Sequence, residues 1–379
     1  MREYLLVLLV SAMVTYLLTV IAREIALRTG AVARVRDRDV HDVPIPYMGG
    51  LAMLAGLGAG YLVARNLPLL GNSPAFVLHD AGIVILGGLI ICMFGVLDDI
   101  FELDALTKLG GQILATAFLI YFSIQYWFID LNGRTFVFDS AQGALLTGFV
   151  VVATVNAVNF VDGLDGLAAG VIGIGATAFF VYCYALSRTN NVDRATTAAL
   201  LSIVLAGACL GFLIHNFHPA RIFMGDSGSM LLGLVLSASA VSLTGQFSPE
   251  QIAQGAAGSN ASLLPIFLPL LLPLTILIVP LADLVLAVIR RTRAGRSPLA
   301  PDKQHLHHRL LEIGHSQRRA VLIMWMWAGL IAFGSVFASL YAGAWMWTVL
   351  VVMTVVTLAL TFLVPKLKAP VVALDPGGG

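Results

Sequence analysis

Charge is the scarcest property of this sequence. Lys, Arg, Asp and Glu make up 11% of 379 residues, against 59% hydrophobic residues and a mean hydropathy of +0.91. Soluble domains carry about 25% charged residues, so a soluble globular fold is excluded. Cysteine is nearly absent. Cys92, Cys183 and Cys209 all lie in apolar runs without metal-ligand spacing, which argues for packing roles and against a disulfide framework. No convincing internal repeat is present, which weakens an inverted-repeat transporter. No soluble domain of any size is inserted. Nor is the first apolar run a secretory signal: it is too long, and its positive charge (Arg23, Arg28, Arg34, Arg36, Arg38) follows it.

What the chain has instead is long apolar runs. They predict an all-α, polytopic membrane protein of about eleven spans, near 4–22, 47–64, 81–97, 109–127, 142–158, 166–186, 195–214, 229–246, 263–289, 319–341 and 344–364. Residues 1–379 are read as one integral-membrane domain, with core motifs over 41–309 and a disordered tail over 366–379. An N-terminus outside puts every Lys and Arg except Arg2, Arg65, Arg134, Arg188 and Arg194 on the inner side, as the positive-inside rule requires. Outer loops are plain, with a small hairpin expected around Asn132-Gly133.

Five inner loops are dense in polar residues and all face one compartment. The first, Pro44-Ile-Pro46-Tyr47-Met-Gly49-Gly50, opens the second span with an extended entry and close backbone approach at the glycines. The second holds Asp98-Asp99 and, nine residues after Asp99, Lys108. Adjacent carboxylates there repel unless a cation or proton lies between them. Glu102 and Asp104 read as plain solvated charges. The third, Asn156-Ala-Val-Asn159-Phe-Val-Asp162-Gly163-Leu-Asp165-Gly166, places four oxygen side chains at three-residue steps at a span end. Carboxylates at a membrane edge are functional-site candidates, and a helix ending near Gly163 would let the later ones swing back.

The fourth, His218-Pro-Ala-Arg221-Ile-Phe-Met-Gly225-Asp226-Ser227-Gly-Ser229, puts Asp226 at a helix start, where it either caps that helix or faces a ligand. Arg221 suits a phosphate clamp or is simply a positive-inside residue. The fifth spans Arg290–Arg319 and carries His305-Leu-His307-His308-Arg309. A zinc site there lacks a fourth ligand; donors aimed at phosphate and sugar oxygens fit better. Carboxylates and an asparagine oxygen suit Mg²⁺, with Mn²⁺ as the alternative, and the basic groups suit phosphate. The combination is the toolkit of phosphoryl transfer between anions, worked at a membrane surface because one substrate is a lipid.

These five motifs, in this order from Pro44 to His308, resemble the polyprenyl-phosphate N-acetylhexosamine-1-phosphate transferases. The spaced form His305-x-His307-His308 resembles the bacterial UDP-N-acetylglucosamine branch. The resemblance implies Mg²⁺, a UDP-sugar donor, a polyprenyl phosphate acceptor, release of UMP, and the first lipid intermediate of a cell-envelope polysaccharide. It also implies a plasma-membrane location with the site facing the cytoplasm, no nucleic-acid partner, and leaves a homodimer open. By position it implies Asp226 and Asn159 as metal contacts, Asp98 acting on the lipid phosphate, and Asp99 and Lys108 organising the diphosphate. Asp162 and Asp165 would hold their loop or bind nucleotide. His305, His307, His308 and Arg309 would contact sugar or phosphate, and Asn156, Arg221, Gly49 and Gly50 would line the substrate site. Tyr47 departs from the pattern, which commonly has a basic residue there. The competing class is an ion-coupled transporter with a midplane carboxylate site, which requires charges deep within the spans.

Overall fold

The structure, a computed structural model, describes residues 1–32, 45–131, 134–189, 193–244, 315–340 and 343–362, together with position 292. Among these, ten helices run α1 (Arg2–Thr29), α2 (Gly49–Ala64), α3 (Ala75–Phe101), α4 (Ala105–Tyr121), α5 (Ser140–Val161), α6 (Leu167–Thr189), α7 (Asp193–Asn216), α8 (Gly225–Thr244), α9 (Gln317–Leu340) and α10 (Ala344–Phe362). Eight are long and apolar enough to cross a membrane; α2 and α4 are apolar but shorter. Ten of the expected spans thus coincide with helices, and the one near 263–289 lies outside the described residues, as does the tail.

The bundle is organised about α7 and α8, which are almost wholly buried, whereas α1 and α10 keep wide apolar faces exposed. Helix α8 packs against α2, α3, α5 and α7. Its small residues permit this closeness, and its serines stay satisfied in an apolar interior by bonding back to the preceding turn, Ser237 Oγ to Gly233 O at 2.8 Å and Ser239 Oγ to Val235 O at 2.6 Å. Helix α7 seats α1 through Gly207 and Gly211, where any side chain would meet the backbone of Leu8 or Ala12. The three cysteines are buried and unpaired.

Between α4 and α5, strands β1 (Phe128–Leu131) and β2 (Arg134–Val137) form the expected hairpin, paired antiparallel with Phe128 opposite Val137 and Leu131 opposite Arg134. Asp139 then starts α5 with a capping box to Gln142, an arrangement that contributes about 1 kcal/mol.

The end of α1, the start of α2, the end of α3, the starts of α4 and α8 and the ends of α5 and α7 meet at one end of the bundle. Hydrogen bonds join them: Gly49 N to Phe223 O, Asp226 N to Asp99 Oδ1, Lys108 Nζ to Asp226 Oδ2, and Gly166 N to Asn216 Oδ1. The convergence expected of the polar loops is therefore present in three dimensions for the first four, whereas the histidine motif of the fifth lies outside the described residues.

Candidate active site

Helix α3 runs four residues past its expected end at 97 and stops where Glu102 adopts a left-handed conformation, φ 51°. Asp98 and Asp99 are therefore on a helical turn, not in a loop, and successive helical residues diverge by about 100°. The adjacent carboxylates that seemed bound to repel each other instead face different neighbours. Buried Asp98 accepts Leu103 N–H at 2.8 Å on Oδ1 and the Lys108 ammonium at 2.7 Å on Oδ2. Asp99 accepts Asp226 N–H at 2.8 Å on Oδ1, and the Ser227 hydroxyl (2.7 Å) and N–H (3.4 Å) on Oδ2.

Lys108 owes its position to Asp104. That residue is exposed, as expected, but it is not a bystander: its carboxylate caps α4, accepting Leu106 N–H at 2.9 Å and Thr107 N–H at 3.0 Å. The cap fixes the first turn of α4, and Lys108 projects from it to bridge Asp98 and Asp226 Oδ2 (2.9 Å). On the other side of Asp226, Asn159 Nδ2 donates to Oδ1 at 2.9 Å and to Ser229 Oγ at 2.9 Å. Four residues from four helices, Asp98, Lys108, Asn159 and Asp226, thus form one cluster. Carboxylate oxygens of Asp98, Asp99 and Asp226 lie within 4.8 Å of one another. Hard oxygen donors at this spacing fit a small divalent cation. Those of Asp99 are already taken by N–H and hydroxyl groups of α8, so Asp226 is the donor better placed to meet it, and turning the Asn159 amide over would offer its oxygen to the same place.

Asn156, one helical turn deeper in α5, does not join the cluster. Its Nδ2 donates to Gln112 Oε1 at 2.7 Å and to Val152 O at 2.8 Å, an amide pair locking α5 to α4. Gln112 stands one turn after Lys108 on α4, and that i, i+4 relation was the signal that could have linked the two loops beforehand.

Helix α5 ends at Val161, close to Gly163, and the link to α6 turns back through Gly166 at φ 74°. Asp165 is buried beneath the α7–α8 loop, accepting His218 Nδ1 at 2.7 Å and Ala220 N–H at 3.1 Å. Asn216, absent from the expected site, ties the same two loops by accepting Gly166 N–H at 3.0 Å and donating to Ile222 O at 2.9 Å. Of the two roles open for Asp165, holding the loop is the one its contacts perform.

Asp162 caps the end of α5, and its carboxyl makes no hydrogen bond among the described residues. Burial pushes that carboxyl up to about 8, and the charges of Asp226, Asp99 and Asp165 push in the same direction. The sign follows from linkage: the folded chain holds a proton that the unfolded chain releases near 3.8, so this contribution to stability is lost as pH rises toward about 8. Asp162→Asn is therefore expected to flatten the fall of the thermal midpoint between pH 6 and 8.5 in detergent. An unaltered pH dependence would remove Asp162 as its source.

Among the described residues, Gly49 and Gly50 are packed against other backbone and side chains. Their N–H groups are taken by Phe223 O (3.1 Å) and Met224 O (3.2 Å), and both residues are buried. A Cβ on Gly50 would overlap the Ser227–Gly228 backbone. This corrects their expected substrate contact: they bring α2 onto the α8 start, because only a hydrogen at these positions leaves room. Tyr47 stacks at a tilt on Phe223, 5.9 Å between centroids, in the same loop pair. Ser227 lies inside the first turn of α8, and the acceptors for that turn come from Asp99. Arg221 is exposed, away from the cluster contacts, and its carbonyl accepts Arg23 Nε at 3.3 Å. His305, His307, His308 and Arg309 lie outside the described residues.

The charged residues of the cluster lie together at one end of the bundle and none sits at mid-helix, which is not the pattern a midplane transport site requires. The profile of the glycosyl transferase family 4 matches residues 81–244, the stretch that holds α3 to α8. The decaprenyl-phosphate N-acetylglucosaminephosphotransferase of Mycolicibacterium smegmatis is 48% identical over 339 residues, covering 88% of this chain and 82% of its own. That of Mycobacterium tuberculosis is 47% identical over 341 residues, again 88% and 82%. A probable undecaprenyl-phosphate N-acetylglucosaminyl 1-phosphate transferase of Bacillus subtilis is 34% identical over 319 residues, 84% and 80%. With the cluster carried on the very helices that the profile spans, and identity at this level over most of both chains, the protein belongs to the polyprenyl-phosphate N-acetylglucosamine-1-phosphate transferase family.

Proposed function

We propose that this protein transfers N-acetylglucosamine 1-phosphate from a UDP-sugar to polyprenyl phosphate and releases UMP. The observation that supports this best is the juxtaposition of Lys108 with Asp98, Asp226 and Asn159 at the end of an apolar bundle, in a chain 48% identical to a decaprenyl-phosphate N-acetylglucosaminephosphotransferase. A polar cluster at a helix-bundle end meets a lipid headgroup and a water-soluble nucleotide at the same surface. With the positive-inside distribution, that surface is cytoplasmic and the membrane is the plasma membrane.

The reaction joins two anions. An oxygen of the lipid phosphate attacks the β-phosphorus of the UDP-sugar, the bond from that phosphorus to the bridging oxygen breaks, and UMP leaves with the bond's electron pair. A phosphate monoester is already largely ionised near neutral pH, its second pKa being about 6, so the attack needs orientation and charge compensation more than a base. Asp98 supports that view, since both its oxygens are already engaged, by Leu103 N–H and the Lys108 ammonium. It holds Lys108, whose side chain is a third exposed and whose ammonium can turn to a diphosphate oxygen. Asn159 and Ser229 fix the Asp226 side. A Mg²⁺ ion held by Asp226 and Asn159 would neutralise the diphosphate and favour departure of UMP.

Purified protein incubated with several UDP-sugars and polyprenyl phosphate is expected to yield a lipid whose mass equals the acceptor plus one N-acetylhexosamine phosphate, together with UMP. A radiolabelled sugar phosphate trapped on the protein without lipid would instead favour a covalent intermediate. No lipid product with any UDP-sugar would overturn the reading.

A further inference from the structure

The paired aspartates divide their labour, and we infer that Asp99 is a positioning residue: it seats the first turn of α8, and thereby aims Asp226, without itself touching substrate or metal. The inference rests on the transferase reading given above. It differs from the role that the family resemblance implies for Asp99, a partner of Lys108 on the diphosphate.

A helix begins with backbone N–H groups that have no partner within the helix. In α8 the usual supplier is missing. Met224, just before the helix, is apolar, and Gly225 has no side chain. The missing acceptor arrives from another helix, 127 residues away in sequence, as the two oxygens of Asp99. They take the N–H groups of Asp226 and Ser227 and the Ser227 hydroxyl. A carboxylate at this place also meets the positive end of the helix dipole.

The neighbouring glycines are shaped to this contact. Gly225 adopts φ 69°, and a Cβ there would overlap the Asp99 carboxylate. Gly95 precedes Asp99 by four residues, so it lies on the same face of α3, and a Cβ there would overlap the Ser227 backbone. One turn of α3 thus presents a gap and then a carboxylate, and α8 fits both. With its backbone N–H held by Asp99, Asp226 directs its side chain the other way, to Lys108 and Asn159. Three of the roughly four acceptor sites on the Asp99 carboxylate are spent within α8.

The test uses the full chain in detergent and compares Asp99→Asn and Asp99→Ala with Asp226→Asn. Three readouts serve: UMP release with both substrates varied, Mn²⁺ binding followed by electron paramagnetic resonance, and the thermal midpoint. In Asp99→Asn the amide oxygen can still accept Asp226 N–H, and the amide nitrogen can donate to Ser227 Oγ, whose hydrogen has Met224 O in reach at 3.1 Å. That variant is expected to keep kcat within about 10-fold, KM for both substrates, and Mn²⁺ affinity within about 3-fold, because the 2.8 Å bond from Asp226 N–H is kept and only the longer 3.4 Å bond from Ser227 N–H is lost at the helix start. Asp99→Ala removes every acceptor. It is expected to lose about 100-fold in kcat with KM little changed, the size of effect that a displacement of about 1 Å at a reacting centre produces.

Rescue by asparagine is the readout that a group touching metal or phosphate through its charge would not give. If Asp99→Asn is as inactive as Asp226→Asn, or loses Mn²⁺ binding with it, the inference is overturned. Should Asp99→Ala fail to fold, the asparagine comparison decides alone. If the unaltered protein forms no lipid product, the transferase reading fails separately, and the Mn²⁺ comparison still tests the positioning role.

Discussion

Asp226→Asn is expected to lower UMP release by about a thousand-fold, roughly 4 kcal/mol of transition-state stabilisation, with the fold intact. The substitution preserves shape and the hydrogen bond from Asn159 Nδ2, so little is lost from packing. What it removes is the negative charge that Lys108 shares between Asp98 and Asp226, at 2.7 and 2.9 Å. The Lys108 ammonium would then settle on Asp98 alone, and the one carboxylate that meets both Lys108 and Asn159 would be gone. Electrostatic groups of this kind act in a partly dry site, where each is worth more than in water. The check is UMP release by purified protein with thermal midpoint measured alongside. Activity within 10-fold of the unaltered protein would remove Asp226 from the centre of the site.

The second large effect concerns a residue without a side chain. Gly95→Ala is expected to cost about 100-fold in kcat, because the added methyl group would overlap the Ser227 backbone and the two helices must part. Backbone cannot swing aside as a flexible side chain can, so the expected destabilisation is about 1–3 kcal/mol, typical of overpacking. Asp226 moves with Ser227, which is why the loss should appear in kcat and not only in stability. Gly58→Ala in α2 is the control. Nothing lies within 4 Å of a Cβ at that position, so it should leave activity unaltered and gain up to about 1 kcal/mol of helix propensity. Equal behaviour of the two variants in kcat and thermal midpoint would refute the argument.

Both predictions turn on α8, and neither residue's importance is a matter of its own chemistry alone. Asp226 is only as useful as the turn that carries it. That turn is held by Asp99 from α3, by Gly50 from α2 through close contact, and by Asn159 from α5 through Ser229. Behind it, Asp165 and Asn216 fasten the loop that leads into it. Among the described residues, the loop motifs are thus chiefly a means of fixing one helix start with respect to one lysine.

By itself the sequence determined the class of the molecule and put forward the residues from which the cluster is drawn. Apolar runs of spanning length dictate helices, since only a helix satisfies its own backbone in lipid, and charge bias places the polar loops together. It also put forward Asp98, Lys108, Asn159 and Asp226 within a longer set of candidates, because oxygen donors and a lone lysine at the ends of apolar spans are costly to keep there unless they bind something. What the tertiary structure alone decided is which residue faces which. Helical pitch fixes angles within an element, so Asp98 and Asp99 had to diverge, and Asn156 and Asn159 had to occupy different turns. Whether the partner in each direction is a substrate, another helix or an amide such as Gln112 depends on how helices pack, and that is set by distant residues such as Gly95 and Gly50. Their role is the shortness of an interhelical approach, a quantity that belongs to two segments at once and is written in neither.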